Sequence, residues 1–518
     1  MTGPADSGTA GPAASGAETV AADCTVVIPT IGRPSLQRLL DALDEATGPA
    51  PAQIFVVDDR PVPEPELAVV SQYPVTVLRS GGRGPAAARN TGWRACSTRW
   101  VAFVDDDVLP GSDWLACLAA DLEAAEAAGA VGSQARLVVP GDTARPATDD
   151  ERRTLRLADA RWITADMAYR RDALVAVGGF DHRFPRAYRE DSDLALRLVS
   201  RGARIVDGRR TSTHPVAAST PLSSVRAQIG NRDNALMRRK FGRGWRERVG
   251  EGRGRLPAHV ATTAAALTAA GTALARRRTP AALAAATWAA LFGEFAVRRF
   301  LAGPRTPAQA GQIALTSLLI PPAAVWHRLA GEWMHRAAAP EPVLAVLFDR
   351  DDTIIEDGPF LNDPNGVRPR PGAERALRAL RDRGLLVAVV TNQSGVARGL
   401  ITTDQLREVN AEVDAQLGPF DSWQVCVHDD ADGCECRKPR PGMVLAAAAA
   451  LGVPPERCVM IGDTGGDVNA GLAAGAAAVL VPTARTRAEE VDAASAHPRA
   501  RVADTITDAV HAVLREAR

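Results

Sequence analysis

VLAVLFDRDDT (343–353) is an apolar run that stops abruptly in charge, and its reading sets the class of the fold. A strand covered on both faces reads as a near-continuous apolar run. One that stops at carboxylates delivers them to the edge of a sheet. LLVAVVTNQSG (385–395), RCVMIGDTGGD (457–467) and AAVLVPT (477–483) repeat the pattern, each run closing in polar residues. The first third of the chain is punctuated in the same way: TVVIPT (25–30), IFVVDD (54–59), VTVLRS (75–80) and WVAFVDDD (100–107), with helical stretches at 35–46 and 85–96. Strands alternating with helices predict an α/β protein with mainly parallel sheets, whose ligands bind beyond the carboxyl ends of the strands.

Between the two series lies a stretch without β-alternation. It holds three uncharged runs, Leu256–Ala275, Thr279–Gly293 and Thr306–His327, interrupted by Arg276–Arg278 and Arg298–Arg299. The expected organisation is therefore a disordered tail over 1–22, an α/β domain over 23–240, a helical Ala/Arg-rich segment over 241–341 and a second α/β domain over 342–518. The tail lacks the basic start and apolar core of a signal peptide, which predicts a cytoplasmic chain.

Composition agrees with a globular protein of several domains. Of 518 residues, 46% are hydrophobic and 24% charged, which excludes wholesale disorder and collagen-like repeats. Basic and acidic residues balance at 61 each, and no nucleic-acid partner is expected. The balance is uneven along the chain: Pro215–Pro340 carries 18 basic residues against 5 acidic. Lys240 and Lys438 are the only lysines, so neither reads as background. Three of the 7 cysteines fall between 426 and 436, a pattern of metal binding in a reducing compartment.

At the end of the 343–353 run, Asp349 and Asp351 are placed to share a face, with Arg350 pointing away. Two such carboxylates suit phosphoryl chemistry, one attacking phosphorus and the other moving protons. Thr391 and Asn392 offer donors to phosphate oxygens, Lys438 a neutralising charge, and Asp463 with Asp467 oxygen ligands for magnesium. Cys426, His428, Cys434 and Cys436 make two ligand pairs about a short loop, a tetrahedral Cys₃His set for structural zinc. The order DRDDT, TNQSG, RKP, GDTGGD resembles the haloacid dehalogenase superfamily. That resemblance implies Asp349 as nucleophile, Asp351 as general acid/base and Thr391 and Lys438 on phosphate. It places magnesium on Asp349, Asp351 (through its backbone) and Asp463. Asp352 departs from it, standing where the family usually has glycine. CVH…CECRKP beside TNQSGVARG is similar to the capless phosphatases acting on D,D-heptose 1,7-bisphosphate. Histidinol-phosphate phosphatases share the metal loop and remain the alternative. In either, Arg398 and Arg437 are the expected contacts to a second anionic group.

In the N-terminal domain, Asp105–Asp107 place a DxD at a strand end, suited to bridging a divalent metal and a diphosphate. VVIPTIGRP, VVDD, GPAAARNTGW, FVDDDVLP, GGFDHRF and EDSDLALRL resemble, in order and spacing, family 2 glycosyltransferases of the GT-A fold. The resemblance implies nucleotide contacts from Asp58 and Asp59, and Arg89 and Asn90 near the donor. It also implies magnesium or manganese at Asp105 and Asp107 with His214, and Asp191 as general base. The plainer alternative for Glu190–Asp191 is a helix-terminal acidic cap, a role open to Asp193 as well.

The basic middle segment, with four of the nine tryptophans (Trp245, Trp288, Trp326, Trp333), suggests contact with the inner face of the cell membrane. Alanine-rich soluble helices are the alternative, and Glu294 interrupts the second run. Domains that use cytosolic substrates require an even number of crossings, or none. The expected protein is a sugar-phosphate phosphatase fused to a nucleotide-sugar transferase. The rivals are a histidinol-phosphate phosphatase with an unrelated transferase, and a chain in which one domain is a non-catalytic scaffold.

Overall fold

The computed structural model describes residues 23–141, 144–216, 220–356 and 360–516; the expected disordered tail lies outside them. Contacts divide the chain into two units. One takes the chain up to Ala173, Ala195–Ser223 and Arg298–Ala310; the other takes Leu174–Leu194, Ser224–Val297 and Gly311–Arg518.

The first unit holds a sheet of eight strands: β1 (Cys24–Thr30), β2 (Gln53–Asp58), β3 (Val75–Arg79), β4 (Trp100–Val104), β5 (Leu109–Pro110), β6 (Gly132–Val138), β7 (Asp166–Arg170) and β8 (Ile205–Thr213). Their order is β3-β2-β1-β4-β7-β6-β8-β5. The first four run parallel, but β7 is antiparallel to both β4 and β6. The expected parallel sheet is thus mixed in its second half. Helices α1 (Ser35–Glu45) and α2 (Pro85–Ala95) follow β1 and β3, and α3 (Trp114–Ala127) follows β5. On α1, Leu36, Leu39, Leu40 and Leu43 recur at helical spacing and bury against Val26, Ile28, Ile54 and Val56 of the sheet. Gly84, at φ +92, precedes Pro85, whose fixed φ suits the first helical position of α2.

Six helices of the remaining chain bear on the sites: α4 (Glu190–Ser200), α5 (Asn231–Phe241), α6 (Leu256–Leu274), α7 (Arg278–Leu301), α8 (Pro307–Met334) and, beyond the next strands, α9 (Gly465–Ala473). The second unit carries the other sheet, β9 (Ala345–Phe348), β10 (Leu386–Asn392), β11 (Ser422–Cys426), β12 (Cys458–Gly462), β13 (Ala477–Leu480) and β14 (Ala500–Val502), in the order β11-β10-β9-β12-β13-β14. Every pairing in it is parallel. Both faces are covered, as the apolar runs require. Val346, Phe348, Val387 and Val389 enter one cluster, while Ala345, Leu347, Ala388 and Val390 enter the other.

Arg210 and Asp166 form a fully buried ion pair in the first unit. The Arg210 guanidinium donates to Asp166 at 2.8 Å, Asp121 at 2.9 Å, Ser133 Oγ at 2.9 Å and the Ser133 carbonyl at 2.6 Å. Asp166 also accepts from the Trp114 indole and the Ser212 hydroxyl, so the network ties α3, β6, β7 and β8 together. Removing the cation leaves two buried carboxylates uncompensated. Arg210→Met is therefore expected to cost about 3–5 kcal/mol, read as a lowered urea midpoint for this unit while phosphate release by the other persists.

Candidate active sites

In the second unit the strand-end residues converge. Asp349, Asp463 and Asp467 are buried, with carboxylate oxygens within 4.8 Å of one another. The Lys438 ammonium donates to Asp349 at 2.6 Å and to the Val390 carbonyl at 2.8 Å, and is paired with Asp467 at 2.6 Å. Asp467 is fixed from its other side, where Oδ2 accepts from the Thr464 amide and hydroxyl at the start of α9. Gly462 makes this approach possible, since a Cβ there would lie 2.3 Å from the Asp467 carboxyl carbon. Burial pushes the Asp349 carboxyl up to about 8, with Asp467 and Asp351 adding to the rise and Lys438 opposing it. Burial and Asp467 push Asp463 up to about 6. For Lys438, burial favours the neutral amine, but Asp349 and Asp467 outweigh it and hold the ammonium charged. Three buried carboxylates against one ammonium leave excess negative charge, and hard oxygen donors are what a divalent magnesium site offers.

Asp351 departs from expectation. Its carboxylate is turned to Arg350, which donates at 2.8 and 3.1 Å, and to Gln393 at 2.6 Å. Arg350, expected to point away, is buried in that contact and also donates to Asn410 at 2.7 Å. Asp351 thus contributes no side-chain oxygen to the carboxylate group, where Asp467 stands instead. The pleat rule fails because β9 ends at Phe348 and the chain turns at once. Thr391 is buried and accepts from Gln393 at 3.0 Å. Asn392 spends both ends of its amide on the backbone of Lys438, each at 3.1 Å. It is a clip for the lysine rather than a phosphate donor. Asp352 has φ +54, the conformation a glycine takes without strain, and its carboxylate meets Arg485 and Arg370.

Next to Lys438, the Cys₃His residues come together. Cys436 Sγ lies 3.3 Å from Cys426 Sγ, 3.4 Å from Cys434 Sγ and 3.3 Å from His428 Nδ1; Cys426 Sγ lies 3.7 Å from Cys434 Sγ and 3.6 Å from His428 Nδ1. A tetrahedron with metal bonds of ~2.0–2.3 Å has edges of roughly 3.3–3.8 Å. The donor set and its size fit zinc. Arg437 donates to Asp430 at 2.6 Å and to the His428 carbonyl at 3.3 Å, and the exposed Arg398 joins it in holding Asp430 below the usual carboxylate range.

In the first unit, Asp105, Asp106 and Asp107 follow β4. Asp105 accepts from Arg89 at 2.6 Å, and Asp107 from Arg33 at 3.0 Å. The middle Asp106 is buried, accepting from Thr30 at 2.6 Å and Arg33 at 2.8 Å; burial raises its pKa against those donors. His214 Nε2 lies 3.9 Å from Asp107 Oδ1. Asp58 is engaged by Arg60 at 2.7–3.1 Å. Asp59 accepts from Ser80 at 2.7 Å and from the amides of Arg83 at 2.9 Å and Gly84 at 2.8 Å, bracing the turn into α2. Asn90 is buried, accepting from the Trp93 indole at 2.8 Å. Arg33 and Thr30 were missed in the sequence. They meet the acidic run because β1 lies beside β4, a neighbourhood chain order does not reveal.

Glu190 and Asp191 open α4, where Asp191 Oδ1 accepts from the Ser192 amide at 2.5 Å. Asp193, buried like Glu190 in this turn, is paired with the Lys240 ammonium, which also meets Asp181. The preceding Arg189 has φ +81; its guanidinium stacks on Tyr188 and Trp245 and grips Glu251.

Comparison with known proteins separates the two halves by family. Residues 25–189 match the glycosyl transferase family 2 model, and residues 435–509 match a HAD-hydrolase-like model. The D-glycero-beta-D-manno-heptose-1,7-bisphosphate 7-phosphatase of Pseudomonas putida is 37% identical over 145 residues, which is 27% of this chain and 83% of that protein. The phosphatase of the same name from Vibrio cholerae is 33% identical over 183 residues, 33% of this chain and 96% of that one. The chain belongs, through its C-terminal domain, to this phosphatase family. A crystal structure of D,D-heptose 1,7-bisphosphate phosphatase from B. bronchiseptica, complexed with magnesium and phosphate, is 30% identical with a TM-score of 0.31, covering 33% of this chain and 98% of that one. The protein thus joins a HAD phosphatase domain to a family 2 glycosyltransferase domain, both of them enzymatic.

Because Asn392 holds only the backbone of Lys438, its loss should loosen the ammonium without removing it. Asn392→Ala is expected to slow phosphate release about 100-fold, the usual order for a small misplacement of a catalytic group, with circular dichroism unchanged. Full activity would mean that Asp349 and Asp467 position the lysine unaided.

Proposed function

We propose that the C-terminal domain hydrolyses D-glycero-D-manno-heptose 1,7-bisphosphate, removing the 7-phosphate through an aspartyl-phosphate. The observation that carries this reading is the Asp349–Lys438–Asp467 cluster, with its lysine borne on a Cys₃His loop. Asp349 attacks phosphorus and the bond from phosphorus to the sugar oxygen breaks, Asp351 giving that oxygen its proton. Asp351 then takes a proton from the water that cleaves the aspartyl-phosphate, which frees phosphate and restores Asp349. Lys438 and Thr391 hold the phosphoryl oxygens, and Gln393, donating to both Thr391 and Asp351, links the binding residue to the proton-transfer residue. Magnesium, held by Asp349, Asp463 and the Asp351 backbone, would supply charge neutralisation at the phosphoryl group. Zinc on Cys426, His428, Cys434 and Cys436 would fasten the loop, leaving Arg437 and Arg398 to meet the second phosphate of the substrate.

The N-terminal domain, on the same proposal, transfers a glycosyl group from a nucleotide sugar. Asp105 and Asp107, with His214, are the residues to hold magnesium or manganese against the donor diphosphate, and Asp191 is the base that takes the acceptor proton. Arg33 and Arg89 fix the acidic run in place. If the two activities share a route, the phosphatase prepares a heptose phosphate from which the transferase's donor is made.

The substrate test is phosphate release by the full chain from heptose bisphosphate and from histidinol phosphate, run in parallel. Preference for histidinol phosphate overturns the sugar assignment. Asp349→Asn is expected to abolish release on either substrate, since a neutral amide cannot attack phosphorus; more than a few per cent of residual activity excludes Asp349 as nucleophile. Cys434→Ser is expected to lower zinc content and the thermal midpoint together, because a closed metal site contributes its binding energy to folding. Wild-type protein without zinc by elemental analysis, purified free of chelator, removes that assignment.

A further inference from the structure

Helices α6 and α7, rich in alanine and leucine, bury one residue each and leave the others exposed or half-exposed. Thr262 is the buried residue of α6 and Arg299 that of α7. Leu267, Leu274 and Leu283 face outward with 69%, 85% and 66% of their surface open. Large apolar surfaces left in water mark an interaction site. The question is what covers this one.

Several polar groups of the hairpin are satisfied inside it. Arg255, just before α6, donates to Glu294 near the end of α7 at 3.2 Å. His259 packs edge-on against Phe295 at 5.0 Å, and the Arg255 guanidinium lies over the same ring. These contacts make α6 and α7 antiparallel, turning at Ala275–Arg277. Glu294, which interrupts the apolar run in sequence, is thereby neutralised at the foot of the hairpin. Thr262, Thr263, Thr272 and Thr287 donate their hydroxyls to carbonyls one turn back on their own helices, at 2.9, 2.8, 2.6 and 2.9 Å. A water-exposed helix has no need of such internal satisfaction; in hydrocarbon it is obligatory. With 19 and 24 residues the helices span about 28 and 36 Å at 1.5 Å per residue, against a hydrocarbon core of about 30 Å. Arginines stand at both ends, Arg253, Arg255 and Arg298 at the foot and Arg276–Arg278 at the turn, positions suited to headgroup phosphates.

We propose that α6 and α7 insert into a lipid bilayer as a helical hairpin that crosses twice. Two crossings return the chain to the side it left, so both enzymatic domains face one compartment. The neighbouring α8, also long enough to span, is excluded from the pair by its packing. Ile313, Thr316, Ser317, Ile320, Pro321 and Ala324 are buried, and Gly331 sits so close to α5 that a Cβ would lie 2.7 Å from the Arg232 Cα.

The arginine turn supplies its own probe. Between Arg255 and Arg298 the only basic residues are Arg276–Arg278. The full chain is produced in a bacterial host, and trypsin is applied to inverted inner-membrane vesicles, to spheroplasts and to detergent extracts. The expected result is an uncut peptide Leu256–Arg298 retained in inverted vesicles, with cleavage at the turn in spheroplasts and in detergent. Flotation in a density gradient should hold the chain with lipid at about 1 M salt, where the Debye length is ~3 Å and surface adsorption by charge fails. Leu267→Asp combined with Leu283→Asp should move the chain to the soluble fraction with phosphate release unchanged. Cleavage at the turn in inverted vesicles means the hairpin lies on the surface, and overturns the proposal. So does release by salt, a soluble wild-type chain that associates with copies of itself, or a double variant that still floats.

Discussion

One ammonium group organises the phosphatase site. Three carboxylates brought to a buried strand end repel one another, and burial pushes Asp349 and Asp463 toward the neutral form. Lys438 lies between two of them, and its loop is what makes the cluster tolerable. That loop has no regular secondary structure of its own, so its rigidity comes from elsewhere. Asn392 clips the lysine backbone, Cys434 and Cys436 tie the preceding turn to Cys426 and His428, and Arg437 holds Asp430. The Lys438 charge is therefore placed by an irregular loop tied to the ends of two strands, Asn392 closing β10 and Cys426 closing β11.

The second lysine repeats the solution. Lys240 is buried between Asp181 and Asp193, with the rings of Phe184 and Phe241 on its flanks. In a chain that otherwise uses arginine for positive charge, the lysines occupy the two places where a compact ammonium must fit between two buried carboxylates. Arg210 marks the other regime: a planar fork reaching four acceptors at once in the first unit. Asp193 lies in the first turn of the helix that carries Asp191, and Arg189, left-handed and gripped by Glu251, enters it. Of these, Asp191, Asp193 and Glu251 lie beyond the stretch matched by the family model, which ends at 189.

Strand ends were legible in the sequence because an apolar run that stops at a carboxylate leaves the chain little alternative. Strands β9, β10, β12 and β13 of the second unit and the first four strands of the other followed directly, while the edge strands β11 and β14 did not. Strands β6, β7 and β8 did not, because polar residues such as Gln134, Asp166 and Arg210 interrupt them and are satisfied by partners distant in sequence. The same reason hid Arg33 and Thr30 from the acidic run and Arg350 from Asp351. Spacing along a strand gives the face a residue occupies; it does not give the strand next door or the turn that begins one residue later. Asn392 was assigned by its neighbour Thr391, and only its reach to the Lys438 backbone separates their roles.

Asp352 stands where the sequence led us to expect a glycine, with φ +54. A left-handed backbone costs a side-chain-bearing residue on the order of 1 kcal/mol or more, though less for aspartate than for most. The negative charge is the greater problem, since it stands beside residues that must hold a cation and an anion. Arg485 and Arg370 both meet it. Arg485 belongs to the turn after β13, where Thr483 donates to the Asp463 carboxylate at 3.4 Å and Thr486 to its carbonyl at 2.6 Å. Asp352 thus becomes one end of a strap joining the turn after Asp349 to the turn that carries Asp463. A glycine there would relieve the backbone and lose the strap. With the aspartate, the cost of the turn is offset by holding two of the three carboxylates of the site in register.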